Sequence, residues 1–307
     1  MSEPTARQSH IDQALTNVSI GYTNAAYVFP EVFPLVPVTK ITNKYFVFDK
    51  SAWFRNDAGP RAPGTRAPRA DYTLSTGQYL CVEQAQAKQV TDEEVDNSDD
   101  PLQPLVSATR FVTDKIMMKQ EVDVLGLVFG TGWASSATPS PVWSDNASTP
   151  LEDIETGMNT VATAIGREPN VGVIGRGAWR YLKNHPDIVD RLKYGASGDN
   201  PAIVTPNAVA ALVGLEKLLI ARAVYESATE GKTSSMAYIA GTHMALIYVP
   251  KAAALGEPSA GYTFQYKNRE ISRFREEQER QDIVEGRASW DAKLTATDAG
   301  YLLKSIA

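Results

Sequence analysis

The sequence predicts an α+β protein built around one long helix, a strand-rich C-terminal tail and a projecting hairpin. Three observations carry this reading. Apolar residues recur at spacings of three and four over residues 101–129. Charged and apolar residues alternate from Tyr262 onward, through FREEQERQDIVEGRASWDAKLT. Finally, DAGPRAPGTRAPRAD, residues 57–71, holds three prolines, two glycines and three arginines in fifteen positions, without one large aliphatic. The first pattern has the helical period. The second suits long antiparallel strands with one wet face. The third is a loop tip, too poor in apolar groups to pack on its own protein.

Residues 1–40 read as an arm. In YVFPEVFPLVPVTK, Pro30, Pro34 and Pro37 stand among aromatics and valines, which favours an extended segment lying across an apolar surface, either its own core or a neighbouring chain. YFVFDKSAWFRN, residues 45–56, has strong strand propensity, and a second strand run starts near Tyr72 and continues through TGQYLCVEQAQAKQV. With the proline-rich tip between them these form a hairpin whose first arm reaches about 40 Å. No Asn-Gly pair tightens the turn, so the tip is wide.

DEEVDNSDD, residues 92–100, has six acids in nine. It lacks the glycine and glutamate that a calcium loop needs in register, and is expected to be a solvated acidic segment. The long helix follows, with Asp100 as N-cap and Pro101 at its first position, spanning about 42 Å. TGWASSATPSPVWSDNASTP, residues 131–150, reads as a loop. Then come a helix in EDIETGMNTVATAIG, a strand in NVGVI, a helix in AWRYLKNHPDIVDRLKYG, and a helix in TPNAVAALVG with Thr205 as N-cap. A strand in LLIARAVYESA and an apolar strand pair, or one bent strand, in MAYIAGTHMALIYVP precede the tail.

Several function classes are excluded. A net charge of −6 is wrong for a protein that grips DNA by its phosphates. Cys81 is the single cysteine, so no intrachain disulfide can form, and His10, His185 and His243 are far apart with no metal-ligand spacing. The start, MSEPTARQSHIDQ, lacks the apolar run of a signal peptide, and no eighteen consecutive apolar residues occur. NVGVIGRGAWR has the strand–glycine–helix order of a phosphate cradle. But Gly175-Arg176-Gly177 runs on to Arg180, not glycine, so it reads as a tight turn. Nothing assembles nucleophile, base and oxyanion donors. The protein is read as no enzyme, with no catalytic, cofactor-binding or metal residues and no cofactor.

The order of these parts resembles the major capsid proteins of tailed bacteriophages. IDQALTNVSIGYTNAAYVFPEVFPLVPV resembles their N-terminal arm, residues 45–91 their extended loop (E-loop), and residues 101–129 their spine helix. NVGVIGRGAWRYLKNHPDIVDRLKYG and TPNAVAALVGLEKLLIARAVYESATEG resemble their axial domain. AGTHMALIYVPKAAALGEPSAGYTFQY, the tail and DAGYLLKSI resemble the closing part of their peripheral domain. The resemblance implies the HK97-like capsid fold: N-terminal arm, extended β-hairpin (E-loop), long spine helix, axial (A) domain and peripheral (P) domain. The expected divisions are 1–40 for the arm, 41–95 for the hairpin, 96–150 for the spine helix and peripheral part, 151–235 for the axial domain, and 236–307 for a remaining axial strand and the peripheral strands.

The resemblance also implies a function. Copies would join into pentamers and hexamers of an icosahedral shell around double-stranded DNA, held without sequence-specific binding, in a virion assembled in the host cytoplasm and with no membrane. Because only about 40 residues precede the E-loop, scaffolding would come from a separate protein or none; a portal and decoration proteins are further expected partners. Arg61, Arg66 and Arg69 at the tip are expected to meet acidic groups on an adjacent subunit, with Asp92, Glu93, Glu94, Asp96, Asp99 and Asp100 as the partner segment. The alternatives are an encapsulin-type shell around cargo enzymes and, from another class, a nucleotide-binding enzyme using the Gly175–Gly177 turn.

Overall fold

The computed structural model describes residues 10–11, 27–48, 54–61, 63–67, 69, 71, 74–98, 103–195, 204–229, 231–251 and 258–307. In chain order these form β1 (His10–Ile11), α1 (Phe29–Val32), β2 (Leu35–Val38), β3 (Thr42–Phe48), β4 (Leu74–Leu80), β5 (Val82–Thr91), α2 (Asp92–Asp96) and α3 (Gln103–Val128). Next come β6 (Ser135–Ala137), α4 (Pro150–Ile165), β7 (Val171–Gly175), α5 (Arg176–Asn184), α6 (Pro186–Gly195) and α7 (Pro206–Val213). The chain closes with β8 (Lys217–Ala221), β9 (Val224–Glu226), β10 (Met236–Tyr238), β11 (Met244–Ile247), β12 (Gly261–Glu276), β13 (Gln281–Leu294) and β14 (Gly300–Leu303). Mixed helices and largely antiparallel sheets make an α+β fold, as the sequence predicts.

Two sheets organise the described residues. The first runs β1-β12-β13-β5, with β2 also on β12; the second runs β6-β14-β11-β7-β8. The tail supplies the long ladder of the first: β12 and β13 pair antiparallel from Gly261↔Leu294 to Glu276↔Gln281, interrupted by a register shift between Tyr266 and Glu270. Lys267, at φ 60°, sits in that irregularity. On β13, Val284, Gly286, Ala288 and Trp290 are buried in alternation, the period-2 pattern of a strand with one covered face.

The cover is α3. Leu105, Ala108, Val112, Ile116, Met117, Val124, Leu125 and Val128 are buried along it, the three-and-four stripe that the sequence predicts. Of the adjacent apolar residues Phe111 and Val112, either of which fits the spacing, Val112 is wholly buried and Phe111 is exposed. Gly286 is what lets helix and sheet meet closely, since a Cβ there would lie 2.6 Å from Val112 Cγ1 and 2.9 Å from Ile116 Cδ1. At 26 residues α3 is about 39 Å long. The expected cap at Asp100 and Pro101 lies outside the described residues.

The second sheet holds the densest core. Every residue of β7, β11 and β14 is buried, so these strands read as short continuous apolar runs rather than alternations. β11 lies antiparallel to both β7 and β14, while β8 adds to β7 in parallel. α7 begins as expected: Thr205 Oγ1 accepts from the Ala208 N–H at 3.2 Å.

Several expectations are corrected. AWRYLKNHPDIVDRLKYG is two helices, because His185 adopts ψ 134° before Pro186, the extended geometry that a following proline imposes. β10 and β11 do not pair; β10 pairs β9. The expected loop 131–150 contains β6, which pairs in parallel with β14. DAGYLLKSI supplies β14, which lies in the second sheet and not beside β12 and β13. Cys81 lies between two strands, not within one. The hairpin arms are seven residues each, about 23 Å long; β5, expected to continue its second arm, belongs to the first sheet on β13. The N-terminal arm is not wholly extended either: Pro30 stands in the first turn of the short helix α1, whose Phe29 and Val32 are buried.

Candidate assembly interface

The β3–β4 ribbon pairs from Thr42↔Leu80 to Phe48↔Leu74 and has no third strand among the described residues. Its root is fastened to the body. Tyr79 and Tyr45 stack on Phe264 of β12 at ring distances of 4.6 and 5.4 Å. Leu80 donates its N–H to Asp291 Oδ2 at 2.8 Å, and Cys81 donates its N–H to the Ile41 carbonyl at 2.8 Å. Burial raises the Cys81 thiol pKa, with nearby Asp291 adding to the shift, so Cys81 is a small core residue and not an activated nucleophile.

Alternation then decides what the ribbon shows outward. Tyr45 and Tyr79 face the body, so Phe46 and Leu80 face away, each 55% exposed. Ile41 and Val82 are about half exposed beside them. Farther out, Phe54 touches the body at Gly166, the left-handed residue that ends α4, yet stays 63% exposed. The tip positions Arg61, Arg66 and Arg69 are described and exposed. A second ribbon without a third strand among the described residues, β9–β10, carries Val224, Met236 and Tyr238, also exposed.

The acidic segment is more ordered than a solvated run. Thr91 Oγ1 caps α2 by accepting from the Glu94 N–H at 3.3 Å, and acids suit the positive start of a helix. Asp92 is already engaged: both its oxygens accept from Arg275, at 2.5 and 2.6 Å, and this hydrogen bonding holds its pKa below the ordinary value. Glu93, Glu94 and Asp96 are exposed. Asp99 and Asp100 lie outside the described residues. The subunit itself does not bring the tip arginines and this segment into any hydrogen bond or ion pair among the described residues.

The Gly175–Gly177 turn is filled from within the chain. A Cβ on Gly175 would collide with the Gly241 carbonyl, and one on Gly177 would lie 3.2 Å from Thr242 Cγ2. The Gly175 N–H donates to the His243 carbonyl at 2.9 Å. These glycines admit the neighbouring backbone, so the turn offers no cradle for phosphate. His185 is buried at the end of α5, its Nε2 3.1 Å from Ser148 Oγ, and His243 Nδ1 accepts from the Ser305 N–H at 3.0 Å.

No family model matches the sequence. A curated relative, the major capsid protein of Burkholderia phage BcepMu, is 28% identical over 308 residues, covering 96% of both chains. Over nearly its whole length the chain is similar to a phage major capsid protein. The crystal structure of a phage-related protein from Bordetella bronchiseptica RB50 superposes with a TM-score of 0.77 at 23% identity, covering 96% of this chain and 97% of that one. The mature capsid of bacteriophage PhiM1 superposes with a TM-score of 0.59 at 11% identity, covering 92% and 88%. The fold is the HK97-like capsid fold.

Glu121 is a feature the sequence reading does not single out. It sits wholly buried on α3, its carboxylate accepting backbone N–H groups from Val28 and Phe29. The signal is present in the sequence: Glu121 is four residues after Met117 and four before Leu125, in the middle of the apolar stripe.

Proposed function

We propose that this chain is the shell-forming subunit of a phage head, a structural protein that acts by joining copies of itself. The end-to-end match to a phage major capsid protein, 96% of each chain, carries the reading. Pentamers and hexamers closing into an icosahedral shell around double-stranded DNA follow as the assembly. A net charge of −6 suits a container whose wall must not retain its DNA. Scaffolding, portal and decoration proteins are the partners such a shell would take, with assembly in the host cytoplasm and residence in the virion.

Within the subunit we assign β3–β4 and its tip to the E-loop, α3 to the spine, the first sheet to the peripheral domain and the second to the axial domain. The tip arginines Arg61, Arg66 and Arg69 meet acids of an adjacent copy. Glu93, Glu94 and Asp96 suit that role better than Asp92, which Arg275 occupies. Exposed pairs contribute at most about 1 kcal/mol each, so they set register and salt sensitivity, and the apolar ribbon face supplies most of the affinity.

Electron microscopy of the purified, expressed protein tests the reading. Closed shells are the expected result, with nucleic acid inside when they are taken from infected cells. Protein cargo in place of nucleic acid would make it an encapsulin-type shell, and a chain that stays monomeric at all concentrations and is absent from particles in infected cells would overturn both.

A further inference from the structure

The arm and the spine helix meet at a buried carboxylate. Glu121 Oε2 accepts from the Phe29 N–H at 2.8 Å and from the Val28 N–H at 3.1 Å; Oε1 lies 3.2 Å from the same Val28 nitrogen. Two turns earlier on α3, Asp114 Oδ1 accepts the Tyr27 hydroxyl at 3.1 Å. Phe29, Val32 and Phe33 cover the contact from the arm side. Three consecutive arm residues, Tyr27, Val28 and Phe29, are thus pinned to two carboxylates of one helix face.

We propose that Glu121 is a proton-linked clasp, so that docking of the arm segment 27–33 on α3 takes up a proton and tightens as the medium becomes more acidic. The arm's backbone supplies the donors, and its apolar residues exclude water from the carboxylate. Undocking would return the carboxylate to solvent.

The charged groups around the clasp have partners of their own. Glu31 of α1 holds Lys217 of β8 at 2.8 Å, and Asp123 of α3 holds Lys119 at 2.6 Å and the Trp290 indole N–H at 3.2 Å. Burial raises the Glu121 carboxyl to about 7, against a smaller lowering by the Phe29 and Val28 amides. A group whose pKa is higher docked than free favours docking below its docked value and loses that advantage as pH rises. The window therefore runs from about 4.5 to about 7, and each pH step of one within it changes the docking equilibrium by up to about tenfold. Neutral Glu121 still accepts through its carbonyl oxygen, so protonation removes the cost of a buried charge without abolishing the contact.

Hydrogen exchange on the full-length, unassembled chain tests this, read as protection of the 27–33 amides from pH 5 to pH 8 after correction for intrinsic exchange rates. Protection of Val28 and Phe29 should fall by up to about tenfold per pH unit towards pH 7 and then level off. Core amides of β11 should not share the slope. Glu121→Gln should flatten the profile, while Tyr27→Phe, which leaves the clasp carboxylate in place, should keep it. A flat or rising wild-type profile, or a slope shared equally by the β11 amides, would overturn the proposal even if the glutamine variant failed to fold. Because the readout is the subunit alone, it stands or falls independently of shell formation.

Discussion

The second sheet and the β3–β4 ribbon are opposites within one chain. β7, β11 and β14 bury every residue and close on each other through ladders on both sides of β11. The ribbon has two strands, a fastened root and an outward face that leaves Phe46 and Leu80 in solvent. A two-stranded ribbon is marginal by itself in water, whereas a strand inside a packed sheet draws on burial at about 25 cal/mol per Å². The contrast teaches that burial is divided unevenly along the chain: one part is packed throughout, while another keeps an apolar face in solvent, the face proposed above to meet a neighbouring copy.

Disturbing the core should cost most. Leu246→Ala on β11 removes a wholly buried side chain and should lower the unfolding free energy by about 2–5 kcal/mol, measured by denaturant titration. Charge in the core comes next. Glu121 titrates at about 7 in the folded chain, against an ordinary 4.5. Unfolding free energy should therefore decline as pH rises from about 4.5 to about 7, by up to about 3 kcal/mol, with Glu121→Gln removing this component. A helix end should cost less: Thr205→Ala deletes the cap of α7 and should destabilise by about 1 kcal/mol in the same titration.

The ribbon should respond in the other sense. Phe46→Ser should change subunit stability by less than about 0.5 kcal/mol, yet reduce assembled particles in a sedimentation assay. Reversing Arg61, Arg66 and Arg69 to glutamate should leave the melting curve of the subunit unmoved and weaken assembly most at low salt, where exposed charges act at longest range. A large loss of subunit stability from either ribbon variant would erase the contrast.

The parts of the fold with local causes were legible. α3 follows from its apolar spacing, and β12 and β13 from alternation. α7 follows from Thr205 and Pro206. What escaped depended on distant partners or on short local conflicts. β6 is three residues, Ser135–Ala137, in a Ser/Thr/Pro-rich stretch, and is a strand because β14 lies beside it. At His185 the sequence pointed both ways: the His-Pro pair marks a helix end, as found, while the apolar pattern runs straight across it and suggests one helix. β5 looks like a continuation of the hairpin until β13, roughly 200 residues later, takes it into another sheet. For the candidate interface, the composition of residues 57–71 marked the exposed tip. It did not show that Phe46 and Leu80 face outward, because the direction of a two-sided ribbon is fixed only where Tyr45 and Tyr79 meet Phe264.

Amide exchange of Thr42–Phe48 and Leu74–Leu80, compared between isolated subunits and assembled particles, tests the division of labour most directly. The ribbon amides should exchange rapidly in the subunit and become strongly protected in the particle, while those of β11 stay protected in both. Equal protection of the ribbon in the two states would contradict it, since the ribbon would then be complete without a neighbour.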